Sequence, residues 1–228
     1  MPLSITVLVD HPGSYLHDYI DQLLADIKKR GHTLSYVTKI EDLKKGELLF
    51  LLGCKAILTP DQLKLHKHNL VVHPSKLPEG RGSAALVNKI LAGENTVWLT
   101  LFEAMEKVDA GPIYFQESIT FQGHELSDEI RKAQTMKVFE LVLKYLDAYP
   151  NVKGRPQEGP STFYKRRGPD DSELDMDKSI REQFNLLRIV DNERYPAFFK
   201  HLGKKYVVKI YKEGAEGAKG TEGAKVFN

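Results

Sequence analysis

Short apolar runs alternate with segments of helical periodicity over the first half of the chain, and this alternation limits the fold more than any other feature. Strands are predicted over 5–9, 34–37, 47–52 and 70–73, and apolar residues spaced three and four apart predict a helix over 15–30. Strands that alternate with helices form a parallel sheet with helices on its faces. We therefore predict an α/β fold with a doubly wound, mostly parallel sheet of Rossmann-like type.

The sequence pattern predicts further helices and strands up to residue 150, and the amino-acid composition changes after that residue. Further predicted elements are a short helix opened by Thr59-Pro60-Asp61, a helix over 81–91, strands over 96–102 and 113–119, and a long helix over 127–149. From Asn151 the composition shifts to Pro, Gly, Arg and Lys, which indicates a linker, before a helix within 174–190 and a hairpin within 197–211. We predict a main domain over 1–150, a small C-terminal α+β subdomain over 151–212 and a low-complexity tail over 213–228.

Charge and cysteine content narrow the partners and the compartment. The 228 residues include 33 basic and 31 acidic side chains, so a net charge of +2 gives no electrostatic argument for nucleic acid as the main partner. One cysteine, Cys54, excludes an intrachain disulfide and fits a reducing compartment. The N-terminus lacks the features of a signal peptide, and no apolar run approaches the roughly 20 residues of a membrane span. We expect a cytoplasmic protein without a membrane segment.

One histidine and one aspartate are placed to do acid/base chemistry. His73 ends an apolar run, and the Pro-Ser-Lys-Leu-Pro that follows can neither continue a strand nor start a helix. Open α/β sheets bind ligands at the carboxyl ends of their strands, where this histidine is expected. Asp109 lies in a Val-Asp-Ala-Gly-Pro turn between two later strands, so the two side chains make a plausible acid/base pair. A histidine that only caps the strand end is the structural alternative.

Several motifs together resemble one enzyme family. HPSKLPEGRG from residue 73, ILAGEN from residue 90 and VDAGPI from residue 108 resemble the folate-dependent formyltransferases. That family includes methionyl-tRNA formyltransferase, glycinamide ribonucleotide transformylase and the sugar N-formyltransferases. The resemblance is close over 46–120. The later STFYKRRGPDDSELD resembles the part that follows the catalytic core in the tRNA- and sugar-directed members.

The resemblance implies a reaction and roles for the two residues. An amine attacks the formyl carbon of N10-formyltetrahydrofolate, the co-substrate, and an oxyanion develops. His73 would donate to that oxyanion or move the proton, and Asp109 would orient His73 and stabilise its charged form. No metal is expected to take part.

One position departs from the family pattern. The family usually carries an asparagine two residues before the histidine, where this chain has Val71, and Asn69 is the nearest amide. Side chains at 69, 71 and 73 share a face of a strand, but four residues separate the Cα atoms of Asn69 and His73 by about 13 Å. Asn69 is a substitute donor only if a bulge shortens that span. Otherwise His73 and backbone N–H groups hold the oxyanion, or the protein is slow or inactive.

Binding residues follow from the same resemblance and from neighbouring residues. Family members hold the folate largely through backbone, and the matching positions are Lys55, Ala56, Ile57, Glu103, Ala104, Met105 and Val108. The acceptor candidates are Gly13 and Ser14 in a strand–helix turn, Ser75, Lys76 and Arg81 beside His73, and Arg166 and Arg167 for phosphates.

The sequence evidence favours N-formylation of a nucleotide-linked amino sugar of UDP or dTDP type, as in modified bacterial surface glycans. Three features favour an amino sugar as the acceptor: the short stretch after residue 150, the near-neutral net charge, and the VVH and VDAGPIY motifs, which resemble the sugar-directed branch of the family. Methionyl-tRNA formyltransferase is the alternative enzyme. Val71 motivates an alternative of another class, a non-catalytic folate- or nucleotide-binding module. A homodimer is possible.

Overall fold

The computed structural model describes residues 2–213 and shows a six-stranded sheet in the order β2-β1-β3-β4-β6-β7. Except for Glu213, the predicted tail lies outside the described residues. The strands are β1 (Ser4–Leu8), β2 (Thr33–Val37), β3 (Gly46–Leu51), β4 (His66–His73), β5 (Arg81–Gly82), β6 (Thr96–Glu103), β7 (Ile113–Thr120), β8 (Phe163–Tyr164), β9 (Ala197–His201) and β10 (Lys204–Val208). The α-helices are α1 (Ile20–Lys29), α2 (Pro60–Leu63), α3 (Ala85–Leu91), α4 (Ser127–Ala148) and α5 (Phe184–Ile189), with 3₁₀ turns at Tyr15–Asp18, Ile40–Asp42 and Pro169–Ser172.

The sheet is parallel on one side and antiparallel on the other. β2, β1, β3 and β4 pair in parallel, whereas β4–β6 and β6–β7 are antiparallel. The change follows from the length of α3, because its seven residues span only about 10 Å and do not carry the chain back along the sheet. β6 therefore starts at the edge where β4 ended. The mostly parallel, Rossmann-like α/β sheet predicted from the sequence is confirmed, with this antiparallel half added.

The two faces of the sheet are packed unequally. Leu48, Phe50 and Leu52 point to a large core that α1 and α4 cover, and Leu49 and Leu51 point to a smaller apolar cluster on the other face. Successive strand residues point to opposite faces, so a strand covered on both sides is a continuous apolar run. The thinly covered face near the carboxyl end of β3 is where a pocket opens.

Several predicted boundaries differ from the structure. The helix predicted over 81–91 begins only at Ala85, since Arg81–Gly82 pair with Phe163–Tyr164 as β5 and β8, and Ala84 takes a left-handed φ of 59°. The helix predicted over 15–30 is divided at Tyr19 into a 3₁₀ turn and α1.

One strand extends further than its apolar residues predict, because polar residues continue the backbone pairing. β4 starts at His66, earlier than predicted, since its polar residues pair with β3 and His66 Nε2 bonds Thr6 Oγ1 at 3.0 Å. In the C-terminal part, α5 lies within the range predicted for a helix, and the hairpin within its predicted range consists of Ala197–His201 and Lys204–Val208.

The segment after α4, predicted as a linker, is paired with the main sheet. Arg155 and Ile113 exchange two backbone hydrogen bonds of 2.8 Å, and β8 lies beside β5. The stretch that is rich in Pro, Gly and Arg is therefore an extended segment docked through an isolated bridge and a two-residue strand. No helix within residues 2–213 is both long enough and apolar enough to cross a lipid bilayer.

Candidate active site

A pocket of about 500 Å³ opens at the carboxyl edge of β3 and β4, and it contains both predicted acid/base residues. Its wall is mostly apolar, and the side chains that add polar groups are His73, Asp109, Ser83, Lys55 and Cys54. The full lining is Leu51, Gly53, Cys54, Lys55, Ala56, Ile57, Leu58, Leu63, Val71, Val72, His73, Pro74, Gly82, Ser83, Phe102, Ala104, Met105, Val108 and Asp109.

His73 is held by backbone on two sides. It is the last residue of β4, pairs with Thr100 of β6, and is buried, with 9% of its surface exposed. Its Nε2 lies 2.8 Å from the carbonyl oxygen of Gly80. A carbonyl only accepts hydrogen bonds, so Nε2 carries a hydrogen and donates it. Within residues 2–213 no group bonds Nδ1, which leaves that nitrogen for a ligand in the pocket.

Asp109 is held by a different kind of structure. Its backbone has a left-handed φ of 53°, a region that Asp and Asn tolerate better than most residues. Its Oδ2 accepts a hydrogen bond of 3.1 Å from the Gly82 N–H. No hydrogen bond joins Asp109 to His73; the expected direct orientation is replaced by a link through 80–82, in which Gly80 holds His73 and Gly82 holds Asp109.

The turn that carries Asp109 is packed against β6 without space for a side chain at Gly111. A Cβ built on Gly111 would lie 1.8 Å from the Glu103 carbonyl oxygen, so only glycine fits there. The Glu103 N–H in turn donates to the Pro112 carbonyl at 2.9 Å.

Most of the predicted folate-binding positions share the pocket with His73. Lys55, Ala56 and Ile57 form one wall, and the Asp10 carboxylate fixes that loop by accepting from the N–H groups of Lys55 and Ala56, both at 2.8 Å. A second group of predicted positions forms another wall of the pocket: Ala104, Met105 and Val108. The sequence reading missed the supporting role of Asp10, since an aspartate in a turn carries no sign of which loop it holds.

Glu103 is the exception among these positions. Its carboxylate faces away from the pocket and accepts from His68 Nδ1 at 3.1 Å, from the Asn69 N–H at 2.6 Å and from the Tyr114 hydroxyl at 2.7 Å. These bonds join strands β4, β6 and β7, so the side chain of Glu103 supports the sheet.

Asn69 does not replace the missing amide. β4 pairs without a register break with β3 over 69–71 and with β6 over 70–73, so the bulge that would bring Asn69 and His73 together is absent from this part of the strand. The Asn69 amide donates to the Leu63 carbonyl at 2.9 Å, and Asn69 does not line the pocket. The structure thus places Asn69, predicted as a catalytic residue, outside the pocket, because a regular strand keeps its side chain apart from that of His73.

Val71 does face the pocket, as strand alternation requires, and offers no hydrogen bond there. The lining side chains that can donate are His73, Ser83, Lys55 and Cys54. The Cys54 thiol is not a nucleophile, because burial raises its pKa to about 12 and its Sγ already donates to the Leu8 carbonyl at 3.3 Å.

The seven residues predicted to bind the acceptor, including Arg166 and Arg167, lie outside the pocket. The side chains of Ser75 and Arg81 are buried, and Lys76 Nζ lies 4.7 Å from the centre of the Trp98 ring. Gly13 accepts a hydrogen bond from the Arg194 guanidinium, and the Ser14 hydroxyl accepts from the Leu16 N–H at 3.4 Å. After His73 the chain directs Ser75 and Arg81 into the protein interior. Their side chains therefore contribute to packing and not to the pocket wall.

Sequence reasoning also missed a residue that contacts the Asp109 turn, Gln157. Its amide reaches the backbone of Asp109 and Gly111 and the side chain of Arg81. Neither periodicity nor a motif marks this residue, because it follows a Gly-Arg-Pro sequence typical of a linker.

The fold and the pocket define a Rossmann-like α/β protein that carries a histidine and an aspartate at the carboxyl edge of its parallel strands. The chain belongs to the formyl transferase family, whose model matches residues 8–142. Methionyl-tRNA formyltransferase of Thermodesulfovibrio yellowstonii is 25% identical over 186 residues, which cover 80% of this chain and 59% of that protein. The chain thus spans little more than half the length of this curated relative.

Solved structures share the fold at low sequence identity. HypX from Aquifex aeolicus, solved in complex with tetrahydrofolic acid, has a TM-score of 0.78 at 22% identity, with 92% of this chain and 38% of that chain covered. A sugar N-formyltransferase from a Shewanella species has a TM-score of 0.67 at 18% identity, with 94% of this chain and 99% of that chain covered.

Proposed function

We propose that this protein transfers a formyl group from N10-formyltetrahydrofolate to the primary amine of a nucleotide-linked amino sugar. One observation carries the proposal: a single pocket contains His73, Asp109 and the two walls predicted to bind folate. Family membership supports the type of reaction.

The pocket fits the flat, partly apolar folate. Ile57, Met105 and Val108 expose 66%, 52% and 48% of their surfaces at its edge, where an aromatic ring system would cover them. The loop at Lys55 and Ala56 is fixed by Asp10, so its remaining backbone groups are preorganised for hydrogen bonds. HypX, which shares the fold, was solved with tetrahydrofolic acid.

The co-substrate supplies an activated formyl group, and the residues of this chain handle the proton. With its Nε2 hydrogen donated to Gly80, neutral His73 accepts a proton at Nδ1, and charged His73 donates from the same atom. Asp109, held by Gly82 at the same pocket, supplies a carboxylate that can accept a hydrogen bond or a proton from the acceptor amine. The mostly apolar wall leaves the polar groups of the pocket few competing partners.

A small acceptor is favoured over a nucleic acid. The formal net charge of +2 provides little of the phosphate neutralisation on which nucleic-acid binding depends. The sugar N-formyltransferase that shares the fold is matched over 99% of its chain. Lys55 lines the pocket with no ion-pair partner among residues 2–213, so its ammonium group is available to a phosphate of the acceptor.

Methionyl-tRNA is the second acceptor considered, because the curated relative at 25% identity is a methionyl-tRNA formyltransferase. A non-catalytic binding module is the third reading, since Val71 removes an amide from the pocket wall. The three readings differ in what the protein binds and in whether it turns over.

The test is incubation of the purified protein with N10-formyltetrahydrofolate and a panel of UDP-, dTDP- and GDP-linked amino sugars. Mass spectrometry is expected to show the gain of one formyl group on at least one sugar. Formylation of methionyl-tRNA, with binding that weakens steeply as salt rises, would replace the sugar by tRNA. Folate binding without formylation of any acceptor would support the non-catalytic module.

A further inference from the structure

We propose that Gln157 is a positioning residue for formyl transfer: it holds the backbone of the turn that presents Asp109 to the pocket. This inference rests on the proposed function, because it takes Asp109 as the acid/base partner of His73. Gln157 lies beyond residues 8–142, which the family model matches, in the segment that composition alone predicts as a linker.

The amide of Gln157 uses both of its ends. Nε2 donates to the carbonyl oxygens of Asp109 and Gly111, both at 2.9 Å, and Oε1 accepts from Arg81 Nη2 at 2.7 Å. Two carbonyls require the NH₂ end and a guanidinium requires the oxygen, so its partners determine the orientation of the amide. One side chain thus ties the Asp109 turn to the residue before Gly82, whose N–H binds the Asp109 carboxylate.

The Asp109 turn needs the hydrogen bonds from Gln157 because few of its own residues are packed against the protein. A left-handed φ is unfavourable at a residue other than glycine, and Asp109 adopts one. Residues 105–108 before it are exposed, so side-chain packing does not hold the turn. Four described contacts hold it: the hydrogen bond from the Gly82 N–H, the close fit of Gly111 on Glu103, the bond from the Glu103 N–H to the Pro112 carbonyl, and the pair of hydrogen bonds from Gln157.

Gln157 is itself fixed on both sides along the chain. Two residues earlier, Arg155 pairs with Ile113 through two backbone bonds of 2.8 Å. Five residues later, Thr162 accepts from the Gly80 N–H at its hydroxyl and from the Arg81 N–H at its carbonyl, at 2.8 and 2.9 Å. Because the backbone on both sides of Gln157 is held in place, its side chain is a fixed attachment point for the Asp109 turn.

The informative variant is Gln157→Glu. It keeps the size of the side chain and an acceptor for Arg81, but it removes both N–H donors and turns a carboxylate oxygen toward two carbonyl oxygens. The expected result is a fall in kcat of about tenfold to a hundredfold, the size of effect caused by displacing a reacting group by about 1 Å. KM for the acceptor is expected to change by less than about threefold, because Gln157 does not line the pocket.

Gln183→Glu is the matched control. Gln183 is also partly buried, donates Nε2 to the Asp175, Lys178 and Ser179 carbonyls and accepts from the Asp175 N–H at Oε1, far from the pocket. The same substitution there is expected to reduce thermal stability without lowering kcat. A fall in kcat of equal size in both variants, or no fall in Gln157→Glu, would overturn the proposal.

A double variant tests whether Gln157 acts through Asp109. Gln157→Glu is expected to change kcat by less than about threefold when Asp109→Asn is already present, because the positioned carboxylate is gone. A full, additive loss in the double variant would mean that Gln157 acts elsewhere.

A measurement without turnover separates this inference from the proposed function. Amide hydrogen exchange at Gly82 and Glu103, whose N–H groups donate to the Asp109 carboxylate and the Pro112 carbonyl, is expected to speed up in Gln157→Glu and to stay unchanged in Gln183→Glu. If the parent protein formylates no acceptor, the proposed function fails while this measurement still decides whether Gln157 holds the turn. Unchanged exchange at Gly82 and Glu103 in Gln157→Glu would overturn the inference.

Discussion

His73 and Asp109 reach the same pocket by opposite structural routes. His73 ends an eight-residue strand in the middle of the sheet, and its ring donates to the Gly80 carbonyl. Asp109 lies on a turn with a left-handed φ, held by Gly82 and Gln157 from elsewhere in the chain. The histidine is placed by regular hydrogen bonding that many residues share, and the aspartate by a few contacts made by single groups.

This difference predicts how each side responds to change. A single substitution away from His73 leaves most of the hydrogen bonds between β4 and its neighbouring strands, so the position of the His73 side chain is expected to change little. The Asp109 turn depends on few contacts, and the loss of one contact is expected to displace it. Direct removal of either side chain should still have the largest effect.

The largest effect is expected from His73→Ala, which removes the group proposed to move the proton. kcat/KM should fall about 10²- to 10⁴-fold, the usual contribution of a general acid or base. Formyl transfer measured with the best acceptor checks this. His201→Ala, in the exposed part of the β9–β10 hairpin, is the control and should keep parental activity. Full activity in His73→Ala would refute the mechanism even if the protein proves to be a formyltransferase.

Asp109→Asn should have the next largest effect and isolates charge from geometry. Asparagine tolerates a left-handed φ, and its oxygen can still accept from Gly82, so the turn should keep its shape. The lost negative charge should lower kcat by about a hundredfold, the lower end of an acid/base contribution. Asp61→Asn, at an exposed ion pair with Lys64, is the control. Activity within about twofold of the parent would show that the carboxylate charge is dispensable.

Gly111→Ala should have a smaller effect on turnover and tests how tightly the turn is packed. The new methyl group would meet the Glu103 carbonyl at 1.8 Å, so the turn has to move. We expect a loss of about 1–3 kcal/mol in the free energy of unfolding and a fall in kcat of about tenfold. Denaturant unfolding and steady-state kinetics measure the two. Gly168→Ala, with open space around its Cα, should change neither; equal results for the two variants would mean that the turn is not tightly packed.

Asn69→Ala should have the smallest effect on activity, because Asn69 lies on β4 but outside the pocket. Loss of its hydrogen bond to the Leu63 carbonyl should lower stability by about 1 kcal/mol. kcat/KM should stay within about twofold of the parent, in contrast to His73→Ala on the same strand. A loss of activity well beyond that would show that Asn69 contributes to the reaction despite its position.

The predictable part of the site is the part that local chemistry controls. His73 was found because an apolar run stops at proline, and Val71 was placed on the pocket wall because strand residues alternate. Both inferences need only the geometry of one strand. Asn69 shows the limit of the same argument: it shares the face, but the continuous register keeps it away.

The less predictable part depends on contacts between distant segments. Ser75 and Arg81 follow His73 closely in sequence, yet the chain turns them inward, where Arg81 binds Gln157. The short pairing of β5 with β8 likewise replaced the start of the predicted helix. Pairings of one or two residues leave no periodic pattern, so composition predicts a linker where the structure has a docked extended segment.

The sequence by itself determined the α/β layers, the sheet-edge histidine, the aspartate turn and the family, because repeating hydrophobic patterns and motifs of consecutive residues record local geometry. Only the tertiary structure decided that Asp109 is linked to His73 through 80–82, that Asn69 lies outside the pocket, and that the Gln157 amide bonds the backbone of the Asp109 turn. These depend on hydrogen bonds across tens of residues of sequence. Such bonds form only after the core has brought the segments together.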